Sequence, residues 1–290
     1  MKTITLITLL AVLALPAAAN PFFFSTGDVT NNIAIATRPA TGPKFEIEGA
    51  DDFVLGASHT LINSATFTGL LTGGATTSDI SQVVVEIYRV FPLDSNVART
   101  SGPPTFSTSQ VPTRVNSPSD VAFDTRDSGS AGLTFGTVLS ATLDSLNSVL
   151  PGGIHPQPGQ TTGGNGPARG TEVEIDVTFA TAFDLPSGHY FFVPQVAVGT
   201  ANGEFLWLSG TRPIVSPGTP FAPDLQSWTR DQFLDPDWLR VGTDIVGGTP
   251  APTFNGAFTL NGTAIPEPSS LVPLGVLALV FGRRLRRMVA

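Results

Sequence analysis

The chain has 290 residues, of which 41% are hydrophobic and only 13% charged, with 30 glycines, 25 prolines and no cysteine. Disulfides, thiolate metal sites and a thiol nucleophile are thereby excluded. The formal net charge is −8, and a nucleic-acid role, which needs clustered Lys and Arg against the phosphates, is excluded with it.

Residues 1–19 hold one lysine (Lys2), an apolar core from Ile4 to Leu15 and then Ala17, Ala18 and Ala19. This is the pattern of a secretory signal peptide, handled by the Sec export machinery and removed before Asn20. Setting aside that segment and the C-terminal tail leaves 10 basic and 22 acidic residues, a net charge of −12. Such a surface suits solubility outside the cell and tolerates divalent cations.

The region 20–264 reads as one domain's worth of chain with period-two alternation and almost no helical periodicity. In 171–179, Val173, Ile175, Val177 and Phe179 share one face and Glu172, Glu174, Asp176 and Thr178 the other. That is a half-buried strand. The segment 82–90 (QVVVEIYRV) is a second strand, apolar on both faces apart from Glu86 and Arg89. Further strands are expected at 60–70, 133–143, 189–198, 204–208 and 254–260. Turn-rich stretches cover 92–120, 151–170 and 210–224, and only 144–150 hints at a helical turn. Strands of five to ten residues joined by irregular loops predict an all-β fold, a single β-sandwich of jelly-roll type. Its core is expected to include Val83, Val85, Ile87, Val173, Ile175, Val177, Phe179, Phe192 and Phe258.

The tail, 265–290, has three parts. Pro266, Glu267 and Pro268 open it, an apolar run from Leu271 to Phe281 follows, and Arg283, Arg284, Arg286 and Arg287 close it. Two prolines with fixed φ and no amide donors make an extended, unpaired grip for a processing enzyme. Eleven apolar residues give about 17 Å of helix against a hydrocarbon core of about 30 Å. The arginines snorkel to the headgroups and are retained on the cytoplasmic side. The segment reads as a transmembrane helix that stops only transiently at the membrane.

This order of parts resembles the PEP-CTERM sorting signal of Gram-negative bacteria. The resemblance implies recognition by an exosortase-like processing enzyme, passage from the inner membrane to the cell surface or medium, and association with exopolysaccharide and biofilm. The stretches 50–55 (ADDFVL), 85–95 (VEIYRVFPLDS), 147–167 (NSVLPGGIHPQPGQTTGGNGP) and 226–242 (QSWTRDQFLDPDWLRVG) resemble a group of bacterial proteins that carry this signal. That group is defined by its anchor, so the resemblance implies no activity.

Catalytic patterns are sparse. The three histidines (His59, His155, His189) form no HExxH pair, and no G-x-S-x-G elbow occurs. Two acidic clusters invite calcium, a hard cation that takes six to eight oxygens. Asp231, Asp235 and Asp237 lie in one, with Asp224 and Asp244 near it; Glu46, Glu48, Asp51 and Asp52 lie in the other. The bland alternative is that these carboxylates cap turns. Trp228 and Trp238 flank a polar stretch and offer either loop packing or a platform for a sugar ring, whereas Trp207 reads as core. The expectation is an exported, non-enzymatic surface or matrix protein with no cofactor unless calcium, binding or building extracellular polysaccharide. The rivals are a secreted polysaccharide hydrolase and a calcium-ordered adhesion module.

Overall fold

The computed structural model describes residues 19–56, 59–99, 111, 113–154, 161–211 and 226–265. The expected signal peptide up to residue 18, the expected sorting motif Pro266, Glu267 and Pro268, the arginine cluster Arg283, Arg284, Arg286 and Arg287, and both His155 and Asp224 lie outside the described residues. No helix among the described residues is long and apolar enough to cross a membrane.

The fold is all-β. In chain order the strands are β1 (Asn20–Ser25), β2 (Val29–Ala36), β3 (Ile47–Leu55), β4 (His59–Leu71), β5 (Ile80–Arg89), β6 (Asp124–Asp127), β7 (Leu133–Asp144), β8 (Ser148–Val149), β9 (Arg169–Leu185), β10 (Gly188–Val198), β11 (Phe205–Gly210), β12 (Trp228–Asp231), β13 (Leu239–Arg240) and β14 (Phe258–Ile265). They build two sheets. One runs β1-β14-β4-β11-β2-β8, with β9 also on β4 and β7 on β9; the other runs β13-β12-β3-β10-β5-β6. Pairing is antiparallel except between β2 and β8.

The expected strands at 60–70, 82–90, 133–143, 171–179, 189–198, 204–208 and 254–260 correspond to β4, β5, β7, β9, β10, β11 and β14. The helical hint at 144–150 is corrected. That stretch holds β8, whose Ser148 and Val149 pair in parallel with Ala34 and Ile35. The Asn147 carbonyl accepts from the Ala34 amide, so its backbone bonds go to β2 and not to a helical turn.

The inner faces of the two sheets meet in one apolar core. Phe192 of β10 stacks on Phe258 of β14 at 4.8 Å between centroids, and packs edge-on against Phe67 of β4 at 6.1 Å. All of the expected core residues are buried. Alternation explains why: in β9, Val173, Ile175 and Val177 point inward, while Glu174, Asp176 and Thr178 face solvent. Gly256 is needed at one close approach, since a Cβ there would run into the Trp207 ring, whose Nε1 donates to the Ala257 carbonyl at 2.9 Å. A third, smaller cluster lies on the outer face of the six-stranded sheet, where Ala50, Tyr88, Phe191 and Val193 are covered by Trp228 and Trp238. The polar site borders this cluster.

Candidate functional site

Strand register brings the site's charges together. Arg230 of β12 stands directly opposite Glu48 of β3, the position at which opposite charges stabilise an antiparallel pair. Both are buried, at 4% and 3% exposure. The Arg230 guanidinium forks onto Glu48, its Nε donating to Oε2 and its Nη2 to Oε1 at 3.1 Å. Its Nη2 also donates to the Tyr88 hydroxyl at 2.8 Å, and its Nη1 to the Asp120 carbonyl at 3.1 Å. The guanidinium lies over the Trp238 ring at 4.3 Å. Planar, delocalised and weakly hydrated, arginine is the cation suited to such a buried, stacked position. Burial works to lower its pKa, but Glu48, Tyr88 and Asp235 together outweigh that and hold it above the ordinary value.

Tyr88 of β5 reaches over β10 to donate to Glu48 Oε1 at 2.7 Å. Burial, reinforced by Glu48, pushes its phenol up. Two residues earlier, Glu86 shares the same outer face. Its Oε2 lies 3.3 Å from the Tyr88 hydroxyl oxygen, and its Oε1 accepts from Thr125 of β6 at 3.2 Å. Thr125 is its register partner. The Glu48 carboxylate accepts from the same Tyr88 hydroxyl, at 2.7 Å. Burial first, then the charge of Glu48, pushes Glu86 up to about 8, so it is a neutral acid at pH 7.

Above this network opens a depression of about 790 Å³. Glu86, Tyr88 and Arg230 form its floor, the segment 94–99 one wall, and 120–122 with Asp235 and Pro236 the other. The walls are tied by arginines. Arg99 bridges Asp120 at 3.2 Å and Asp237 at 2.9 Å, Arg114 pairs with Asp120, and the Asn96 amide donates to Asp120 Oδ2 at 2.8 Å. Asp94 is held by Arg89. Asp235 pairs with Arg230 Nη1 at 2.9 Å yet stays half exposed at the mouth.

The proposed calcium ligands do not converge. Asp231 accepts from the Phe233 and Leu234 amides at 3.0 and 2.9 Å, capping a turn, while Asp235 faces Arg230 and Asp237 faces Arg99. Each carboxylate is turned to a different partner. No group of three acidic or histidine side chains able to hold a metal occurs among the described residues. The other acidic cluster also diverges: Asp51 accepts from the Gly256 amide at 2.7 Å, and Asp52 meets His189 Nε2 at 2.6 Å. Trp228 and Trp238 are corrected as sugar platforms. Both are 2% exposed, with Trp238 pinned by its Nε1 bond to the Ser119 carbonyl at 3.1 Å, so neither indole face is open to a pyranose ring.

The sequence reading missed Arg230 and Glu86 as members of the site; Tyr88 it weighed only as a possible aromatic contact for sugar. Its one available signal was Glu86, a carboxylate on an otherwise apolar strand.

The raised pKa of Glu86 has a testable sign. In the unfolded chain this carboxyl ionises near 4.5 and in the fold near 8, so between those values folding takes up a proton. Its contribution to stability is full below the lower value and is lost as pH rises through the upper one. Burial likewise raises Glu46 and Asp235, which act in the same direction. Glu86→Gln keeps the neutral shape and cannot ionise. Its melting temperature should match that of the wild type near pH 4.5 and exceed it progressively toward pH 9. A constant difference across that range would show that Glu86 is solvated in the fold.

No family model matches the chain, and no curated protein matches it.

Proposed function

We propose that this is an exported, non-catalytic surface or matrix protein that binds extracellular polysaccharide through the depression above Glu86. The two sheets form a jelly-roll-like sandwich in this reading. The tail is a short helix that holds the protein at the inner membrane until an exosortase-like enzyme cuts near Pro266 to Pro268. The signal peptide and the three-part tail support export. The observation that carries the binding role is the depression itself, open to solvent and lined by hydrogen-bonding groups such as Ser95, Asn96 and Asp235 beside the apolar Val121, Ala122 and Pro236. Sugars are recognised by that mixture of convergent polar groups and apolar surface.

The pairing of Glu48 with Glu86 weighs against the hydrolase. Glycosidase carboxyl groups stand about 5–9.5 Å apart with the sugar between them. Here both meet the same Tyr88 hydroxyl, and Glu48 is covered by Arg230 and Tyr88.

One preparation tests the whole reading. The protein is recovered from a producing strain, weighed intact and then sedimented with that strain's own exopolysaccharide. The expected mass lacks 1–19 and 269–290. The expected protein co-sediments, and Asn96→Ala with Asp235→Ala reduces the bound fraction by about tenfold, as the loss of roughly 1.4 kcal/mol of hydrogen bonding requires. A mass retaining the tail would overturn the processing step. An unbound wild type would overturn the glycan role.

A further inference from the structure

The cations bordering the depression are committed. Arg230 faces Glu48 and Asp235, Arg99 faces Asp120 and Asp237, and Arg89 faces Asp94. Glu86, on the floor, has the Thr125 hydroxyl and the Tyr88 hydroxyl as its hydrogen-bond partners, with no arginine or lysine bonded to it among the described residues. The charged groups turned toward it are unequal in sign. Glu48 and Glu46 reach it from β3 and the residues before it, and Arg230 on β12 is already forked onto Glu48. Asp235 stands at the mouth with its carboxylate half exposed and shares its paired arginine, Arg230, with Glu48. With Arg114, which also pairs with Asp120, four arginines face Glu48, Asp94, Asp120, Asp235 and Asp237, so the depression is one positive charge short even with Glu86 protonated.

We propose that the depression takes a glycan bearing a protonated primary amine, an amino sugar whose ammonium becomes the counter-ion of an ionised Glu86, with Asp235 as its second acceptor. This rests on the depression being the glycan site and names the class of sugar it selects. An ammonium carries three donors and no acceptor, which fits a carboxyl floor with acceptors on either side. An acidic sugar would instead meet Asp94, Asp120 and Asp235 together. Seating the ammonium against Glu86 requires the carboxylate. The proton on Glu86 passes to solvent as the amine enters, and no bond of the sugar breaks.

Calorimetry with the mature domain at pH 6.5 tests this, using a glucosamine tetramer and its fully N-acetylated counterpart, each in phosphate and in MOPS buffer. The glucosamine tetramer should bind about tenfold tighter, the worth of one charge-assisted hydrogen bond. Its observed enthalpy should also differ between the buffers by an amount matching about one proton released. Glu86→Gln should abolish both the preference and the proton release, and Asp235→Asn should weaken the preference while keeping the release. Far-UV spectra confirm that each variant is folded. Equal binding of the two tetramers without proton release would overturn the amine inference and leave the glycan role standing. Binding of neither would remove the inference, and co-sedimentation with the native matrix would then decide the glycan role by itself.

Discussion

Arg230→Met should unfold the protein or lower its melting temperature by roughly 6–20 °C, taking about 3–5 kcal/mol for a broken buried pair and about 2–4 °C per kcal/mol for a domain of this size. The size of the effect follows from what stays behind. Methionine keeps the packing against Trp238, but Glu48, 3% exposed, would retain only hydrogen-bond donors and no cation. An uncompensated carboxylate is costly in a dry interior, whereas a pair replaced as a unit is often tolerated. Arg230→Met with Glu48→Gln should therefore recover most of the loss. Thermal melts of the two single variants and the double variant give the coupling directly. A single variant within about 0.5 kcal/mol of wild type, the size typical of exposed pairs, would show that water reaches the pair.

How much of this was legible in the sequence depended on how local the signal was. β9 announces itself by alternation over 171–179 and β5 by a nearly unbroken apolar run over 82–90, and with β4, β7, β10, β11 and β14 they give the frame and its core. β3 and β12 do not. In β3 the run IEGADDFVL places Glu48 and Asp52 on the outer face and Asp51 on the inner one, so hydrophobic periodicity fails, although all but one of its residues are buried. Those charges are tolerated because their partners come from far along the chain: Arg230 is 182 residues from Glu48, and His189 is 137 from Asp52. β12 has four residues, too few for any period. The acidic clusters at 46–52 and 231–237 invited a cation from solution, but their carboxylates turn to partners within the chain. The chain supplies its own cations, Arg230 and Arg99, from the same neighbourhood. The tryptophans were ambiguous for a similar reason, since burial of a loop aromatic depends on which strand it lands upon.

Ile175→Asp should prevent folding. Ile175 sits in the middle of β9, paired with Phe67 of β4 on one side and Thr137 of β7 on the other, and has no exposed surface. The substitution removes a buried aliphatic side chain, a loss of about 2–5 kcal/mol by comparison with truncation to Ala. It also adds a polar group with no partner, for about 1–3 kcal/mol more even if the carboxyl takes up a proton instead of ionising. The sum is comparable with the roughly 5–15 kcal/mol that holds a domain together. The neighbouring residue is the control. Glu174 points to solvent from the same strand, so Glu174→Asn should change stability by no more than about 0.5 kcal/mol. Soluble yield, far-UV spectra and urea midpoints of the two variants separate a core effect from a general intolerance of β9 to substitution. If Ile175→Asp folds with a wild-type midpoint, the inner face of β9 does not bear on the core. If Glu174→Asn fails as well, the strand's register, and with it the alternation from which the fold was read, is wrong.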